Sequence, residues 1–311
     1  MRTPLIRRII HPFFIPVRHR ILALLLLLSC FFATISFAET APAADTTVAA
    51  TAQKGWFHSE RANVLIFLIV ISGLVLTFLM LARKGKPLTL RRIGGLDALD
   101  EAIGRAAEMG KPILFVPGSM DVSSIQTIAA LSILEVVAKK SANYEVPLDV
   151  MTTYPLVMTT AQETVKNSYL AAGRPDFYNP DRIRYITDNQ FAFASAVAGH
   201  MVREKTAANF LLGEFYAESL LMSEAGNATG AIQIAGTAQP HQLPFFLASC
   251  DYTLMSEELF AASAYLTREP NLLGTILGQD WSKAVFAATM LVGIAAAIWG
   301  WGDFINWFNV E

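Results

Sequence analysis

The chain has 311 residues and a formal net charge of −2, and hydrophobic residues make up 53% of it. A slightly acidic chain without a basic stripe argues against nucleic acid as the main partner. The mean hydropathy of +0.41 is high for a soluble protein, because apolar residues are concentrated in three long segments. These three segments determine the predicted topology.

The first apolar segment follows a run rich in arginine and ends in a small-x-small pattern, Ser36-Phe37-Ala38. This arrangement predicts a secretory signal peptide over residues 1–38, with an uncleaved anchor as the alternative. Residues 39–61 begin with a stretch of alanine, threonine and proline that cannot build a core. They are therefore predicted to form a flexible extracytoplasmic tail.

The second apolar segment, residues 62–82, contains no charge and is long enough to cross a hydrocarbon core of roughly 30 Å. A basic linker over residues 83–93 follows it, with Arg83, Lys84, Lys86, Arg91 and Arg92. Basic residues are retained on the cytoplasmic side of a bacterial-type inner membrane. The asymmetry therefore predicts that the residues after the linker lie in the cytoplasm.

The third apolar segment, residues 284–301, predicts another transmembrane helix, with a buried core helix as the alternative. Trp281 precedes this segment, and Trp299 and Trp301 stand at its other end, as expected of indoles at the two headgroup layers. Both mature termini, including a tail over residues 302–311, are then extracytoplasmic.

Between the two predicted spans, residues 94–281 form one cytoplasmic domain in which short β-branched or apolar runs alternate with helical patterns. Strands are predicted over residues 112–116, Leu148–Thr152, 183–187, 210–215, 231–235 and Tyr252–Met255. The buried strand residues are expected to include Leu114, Val116, Val150, Ile183, Ile186, Ile232 and Ile234. The alternation predicts a Rossmann-like, doubly wound α/β fold with a mostly parallel sheet of five or six strands, flanked by two transmembrane helices.

Polar residues follow the ends of these strands. In an open parallel sheet, ligands bind beyond the carboxyl ends of the strands, where the strand order reverses. This rule predicts a ligand-binding set of Ser119, Asp121, Thr153, Asp188, Glu218 and Thr237. The alternative is that these residues only cap the helices that follow. Because carboxylates outnumber basic groups in the set, a neutral polar group or a metal-bridged phosphate fits better than a bare polyanion.

No motif in the sequence identifies a reaction: it contains no GxGxxG, no Walker lysine and no GxSxG. His200 and His241 have no further ligands at metal-binding spacing, so no metal site is predicted. The apolar run between His241 and Cys250 favours a buried structural cysteine over a nucleophile. Glu214 and Glu218 would align as an acid–base pair only on a helix. No catalytic residue and no cofactor is assigned.

Four segments, AIQIAGT, QLPFF, CDY and EELFAASAYL, carry a family resemblance. The chain from its first predicted span to Lys283 resembles a family of prokaryotic, membrane-anchored proteins catalogued as a domain of unknown function. The resemblance implies the membrane-anchored architecture. It implies no activity and assigns no residue a role.

The leading hypothesis is therefore a membrane-anchored cytoplasmic α/β module that binds a small ligand or a partner protein and is not an enzyme. The alternatives are a membrane-associated enzyme acting on a phosphorylated or lipid-linked substrate, and a scaffold subunit of a larger membrane complex. The expected partners are the lipid bilayer and either further copies of the chain or another membrane protein.

Overall fold

The computed structural model describes residues 62–84, 94–267 and 269–300. The predicted signal peptide, the predicted tails over residues 39–61 and 302–311, and nearly all of the basic linker lie outside the described residues.

The described residues form an α/β structure with six strands. The strands are β1 Ile113–Val116, β2 Leu148–Thr152, β3 Ile183–Tyr185, β4 Ala208–Leu212, β5 Ile232–Thr237 and β6 Tyr252–Met255. The helices are α1 Ala62–Arg83, α2 Gly94–Met109, α3 Ile125–Asn143, α4 Pro155–Ala171, α5 Gln190–Glu204, α6 Glu218–Thr229, α7 Leu243–Ser249, α8 Glu257–Thr267 and α9 Pro270–Trp299. Two 3₁₀ turns, Pro175–Phe177 and Pro180–Arg182, precede β3.

All six strands pair in parallel in one sheet, in the order β3-β2-β1-β4-β5-β6. Successive strand residues point to opposite faces, so Phe115 lies in one core cluster and Leu114 in another. Helices α2, α3, α4 and α8 supply residues to the first cluster, and α5, α6 and α7 supply residues to the second. Helices therefore cover both faces of the sheet, and the strand order reverses between β1 and β4.

The predicted α/β class and parallel sheet are confirmed, and several element bounds differ from the prediction. β4 begins and ends earlier than predicted. It ends at Leu212 because the next residue, Gly213, leaves the extended conformation with a φ of +135°. Helices α6 and α7 were not predicted. Five of the seven residues expected in the core are buried, whereas Ile186 and Ile232 are only partly buried.

Helices α1 and α9 are long and apolar enough to cross a membrane, on length and composition alone. They pack antiparallel: the rings of Phe67 and Phe286 stack 5.6 Å apart, and the Nε atom of Arg83 donates to the Oδ1 atom of Asn271 at 2.9 Å. Between these points Gly278 faces Val75 so closely that a Cβ atom would lie 2.8 Å from the Cα atom of Val75. Small residues let the two backbones approach, as in membrane helix pairs.

In this antiparallel packing, the end of α1 and the start of the predicted span in α9 lie at different levels along the helix pair. Arg83, at the end of α1, lies beside Asn271 near the start of α9. Lys283, which directly precedes the predicted span over residues 284–301, lies 12 residues further along α9, which corresponds to about 18 Å of helix. The part of α9 before Lys283 packs against α1, and α9 continues from it without a break to Trp299.

A buried polar cluster lies between the sheet and α6. Gln233 of β5 is 1% exposed, and its Nε2 atom donates to the carbonyl oxygens of Ser223 and Ser249, both at 2.8 Å. A Cβ atom on Gly226 of α6 would lie 2.1 Å from the Oε1 atom of Gln233 and 2.8 Å from the Nδ2 atom of Asn209. Only glycine therefore lets α6 lie this close to β4 and β5.

Candidate functional site

The loops after β1 and β4, where the strand order reverses, contact each other directly. Gly118 and Gly213 both have positive φ angles, +90° and +135°. A Cβ atom on Gly118 would lie 2.8 Å from the backbone nitrogen of Glu214, and one on Gly213 would lie 2.6 Å from the carbonyl oxygen of Pro117. The backbone of Ser119 also donates to the carbonyl of Glu214 at 2.8 Å. Glycine is required at both positions, and it brings the polar side chains that follow into contact.

Glu218 is the most unusual of these polar residues. It is the first residue of α6 and is fully buried, at 0% exposure. Its Oε1 atom accepts hydrogen bonds from the Ser119 hydroxyl and from the backbone nitrogen of Tyr216, the latter at 3.1 Å. Its Oε2 atom has no hydrogen-bond partner among the described residues. Burying a carboxylate oxygen without a donor is costly, so this atom provides an acceptor that a ligand donor would satisfy.

Glu214 links three parts of the same edge. Its Oε2 atom accepts from the Ser124 hydroxyl at 2.6 Å, which ties the loop after β4 to the start of α3. Its Oε1 atom accepts from the Tyr216 hydroxyl at 3.1 Å and from the Nε2 atom of Gln239 at 2.8 Å. Partial burial of Tyr216, followed by its hydrogen bond to Glu214, raises the pKa of this phenol. Tyr216 therefore stays neutral and remains a donor.

A second set of contacts joins β5 to α3 beside this cluster. The Oε1 atom of Gln126 accepts from the Thr237 hydroxyl at 3.2 Å and from the backbone nitrogen of Ala238 at 2.7 Å. The Thr237 hydroxyl in turn accepts from the backbone nitrogen of Gln239 at 3.2 Å. Thr237 is fully buried, so its hydroxyl fixes the loop after β5 against α3.

The structure brings together only part of the predicted ligand-binding set. Ser119 and Glu218 are directly bonded, and Thr237 is the last residue of the neighbouring strand β5 and not a residue beyond its end. Thr153 follows β2, and its hydroxyl is buried without a partner among the described residues. Asp121 accepts a hydrogen bond from the backbone of Val122 at 2.7 Å. Asp188 is exposed and follows the edge strand β3.

Asp188 lies far from Glu218 because strand order, and not chain order, sets distance along the edge. β3 and β4 are separated by β2 and β1, and neighbouring strands lie about 4.8 Å apart. The ends of β3 and β4 are therefore about 14 Å apart, which is wide for one small pocket. The site that the geometry supports centres on Ser119, Glu214 and Glu218, with Tyr216 and Gln239 as partners that sequence reasoning did not select.

A second titratable cluster lies within the sheet. Asp149 of β2 is 3% exposed. Its Oδ1 atom is 3.0 Å from the Nη1 atom of Arg182, and its Oδ2 atom is 3.1 Å from the Nε2 atom of His200. Burial alone would raise the pKa of Asp149, but the hydrogen bond with His200 and the charge of Arg182 lower it below the ordinary value of 3.8. A cavity of about 300 Å³ beside Arg182 is also lined by Tyr169 and Phe177. The cluster connects β2, α5 and the turn before β3, which indicates a structural role.

The Asp149 cluster predicts acid sensitivity. A depressed native pKa gives stability that is present above the unfolded-state value, 3.8, and is lost as the pH falls through the lower native value. In Asp149→Asn we expect lower stability than the wild type at neutral pH and a difference that shrinks as the pH drops below 3.8. Chemical unfolding at several pH values measures this difference. Asp188→Asn, at an exposed carboxylate, is the control and should match the wild type throughout; a pH-independent difference for Asp149→Asn would contradict the prediction.

Cys250 does not have the environment of a nucleophile. Burial raises the pKa of its thiol to about 12, so the thiolate is scarce at neutral pH. Helix α7 separates Cys250 from His241. Within the described ranges, no group of three or more histidine, cysteine, aspartate or glutamate side chains is arranged to hold a metal ion.

Residues 23–308 match the family model described as a domain of unknown function, DUF6754. The chain belongs to this family. A comparison with curated proteins finds no significant match. The resemblance to a family of unknown function is thereby confirmed, while its prokaryotic origin and membrane anchoring stay predictions.

Proposed function

We propose that this protein is a membrane-anchored, Rossmann-like α/β module that binds a small ligand rich in hydrogen-bond donors and is not an enzyme. The observation that carries the ligand is the Oε2 atom of Glu218, a fully buried acceptor that finds no donor in the described part of the chain. The strand order β3-β2-β1-β4-β5-β6 supports the Rossmann-like assignment, because its reversal point is where such sheets bind ligands.

The surrounding groups support a ligand that carries an amine, amide or hydroxyl group. Among the described residues, the side chains bonded to Glu218 and Glu214 are three hydroxyl donors, Ser119, Ser124 and Tyr216, and the amide of Gln239, and none of them is basic. Two carboxyl groups in one partly buried site offer several acceptor oxygens to a ligand that carries donors. Ser119 is 3% exposed and already donates to Glu218, which supports a binding role and not a nucleophilic one.

The anchoring part of the proposal rests on α1 and α9. Both are apolar along lengths that cross a bilayer. The basic residues that follow α1 support a cytoplasmic location for the sheet at a bacterial-type inner membrane. The exposed apolar side chains of α9 fit lipid, further copies of the chain or another membrane protein.

Native mass spectrometry of the full-length protein, released from detergent, tests the ligand. We expect a small-molecule adduct on the wild type and its loss from Glu218→Gln, which keeps the side-chain shape but replaces one acceptor oxygen with an amide nitrogen. Asp188→Asn removes the same charge at the exposed end of β3 and should retain the adduct. Thermal unfolding of each variant shows that folding is intact.

Two results would contradict the ligand proposal. One is the absence of any adduct on the wild type, which would favour a scaffold subunit. The other is equal retention of the adduct by a folded Glu218→Gln protein, which would place the ligand elsewhere.

A further inference from the structure

Exposed apolar side chains surround the carboxyl edge of the sheet. They stand in the first four residues of five helices, α3 to α7, on both faces of the sheet. We call them the apolar rim: Ile125 (70% exposed), Leu156 (53%), Phe191 (60%), Leu221 (43%) and Phe245 (37%). The first turns of α3, α4, α5 and α7 contain no acidic residue, although helix starts favour acidic and polar side chains. Exposed apolar side chains also stand at the opposite edge, among them Tyr144, Leu170 and Val202, so the course of α9 decides which edge faces an apolar environment.

Helix α9 leaves the domain at the same edge. Glu257 begins α8 directly after β6, so it lies at the carboxyl edge, and it forms an ion pair with Lys283 of α9. From there α8 runs back toward the amino edge of the sheet, and α9 begins near that edge at Pro270. Helix α9 therefore runs alongside α8 toward the carboxyl edge. The remaining residues, up to Trp299, extend about 24 Å beyond that edge.

Two further observations bear on where the boundary between lipid and water crosses the helix pair. Trp281, which is 42% exposed, lies at this level, and indoles prefer the layer between lipid and water. On α1, Leu76 is 52% exposed and, because Val75 faces Gly278, lies below the carboxyl edge, at a depth where the domain flanks the helix pair. Met80, one turn further from the edge, is 56% exposed, so the apolar surface of α1 continues alongside the domain below the edge as well as beyond it.

We propose that the apolar rim rests in the interfacial layer of the bilayer that α9 enters, so that the carboxyl edge of the sheet faces the membrane. The occupant of this surface is the lipid itself. The inference rests on the membrane anchoring proposed above and does not depend on the ligand at Glu218. A site at this edge would then exchange its ligand at the membrane surface.

The contact is apolar and not electrostatic. Among the described residues, the charged side chains of this edge are mainly carboxylates, including Asp121, Asp188 and Glu258, and Lys283 is paired with Glu257. Anionic headgroups would not attract such an edge, so docking should occur on neutral phosphatidylcholine and should not weaken in high salt.

Site-directed fluorescence in vesicles tests the proposal. The full-length protein, with Cys30 and Cys250 changed to alanine, receives one cysteine at Ile125, Leu156 or Phe191 and a bimane label. It is reconstituted into phosphatidylcholine vesicles that carry a shallow nitroxide-labelled lipid in both leaflets, so the orientation of insertion does not matter. We expect labels at these rim positions to lose most of their fluorescence to the lipid quencher.

Matched controls separate the outcomes. Tyr144 and Val202, 57% and 56% exposed, lie at the ends of α3 and α5 on the amino edge, and labels there should stay bright. A label at Met290 of α9 should be quenched if the helix is in lipid. An unquenched Met290 would contradict the membrane anchoring itself. Quenching at Met290 with bright rim labels would overturn only the proposed docking. If such bright rim labels are also protected from a quencher dissolved in the water, a second protein covers the rim instead of lipid.

Discussion

Phe210→Ala should lower the free energy of unfolding by about 3–5 kcal/mol. Phe210 lies in β4, near the middle of the sheet, is 0% exposed and packs against Phe115 with ring centroids 6.1 Å apart. Truncation removes the buried apolar area of the ring and leaves a cavity that the surrounding side chains cannot fill. Chemical unfolding of the detergent-solubilised full-length protein measures the change.

Phe191→Ala is the matched control for this measurement. The same side chain is removed at a position that is 60% exposed, so the loss in detergent should stay within about 0.5 kcal/mol. Equal losses for the two variants would show that β4 does not lie in the core.

Gly226→Ala should be unusually damaging for so small a change, with an expected loss of about 2–3 kcal/mol. The new methyl group would occupy the position of the Gln233 side-chain amide, whose Oε1 atom lies 2.1 Å away. That amide cannot move freely, because its Nε2 atom holds two carbonyl oxygens in a buried site. Relief of the overlap would therefore break buried hydrogen bonds or separate α6 from β5.

The control is Gly104→Ala in α2, where a Cβ atom would meet nothing within 4 Å. Alanine favours a helix over glycine by up to about 1 kcal/mol, so this variant should be neutral or more stable than the wild type. The same unfolding measurement serves both variants. If Gly226→Ala were tolerated as well as Gly104→Ala, the close contact between α6 and β5 would not exist.

The sequence was sufficient for the strands that bury continuous apolar runs and insufficient where packing uses small or polar residues. β1, whose four residues are all apolar and buried, is only one residue shorter than predicted, and β2 and β6 have the predicted bounds. Helix α6 was missed because its buried face consists mainly of small and polar residues, including Glu218, Ser219, Ser223 and Gly226. A helix of this kind carries no apolar periodicity that a pattern search could detect.

The candidate site was partly predictable for a similar reason. Ser119 and Glu218 were selected because residues past strand ends share one edge, and the structure joins them directly. Which strand ends are neighbours depends on strand order, which the sequence does not state, so Asp188 was grouped with residues about three strand spacings away. The central position of Glu214 follows from the contact between Gly118 and Gly213, which is a tertiary feature.

The continuity of α9 has a mechanical consequence. One uninterrupted helix of 30 residues packs beside α1 and α8 over its first half. Its second half forms the proposed membrane span. No loop separates the two halves, and Lys283 fastens the helix to the start of α8 at the point where it leaves the domain. The span cannot tilt relative to the sheet unless the helix bends or its contacts with α8 open. An anchor of the proposed kind would therefore set the orientation of the domain, because it continues a helix that contacts α8, and would not act as a flexible tether.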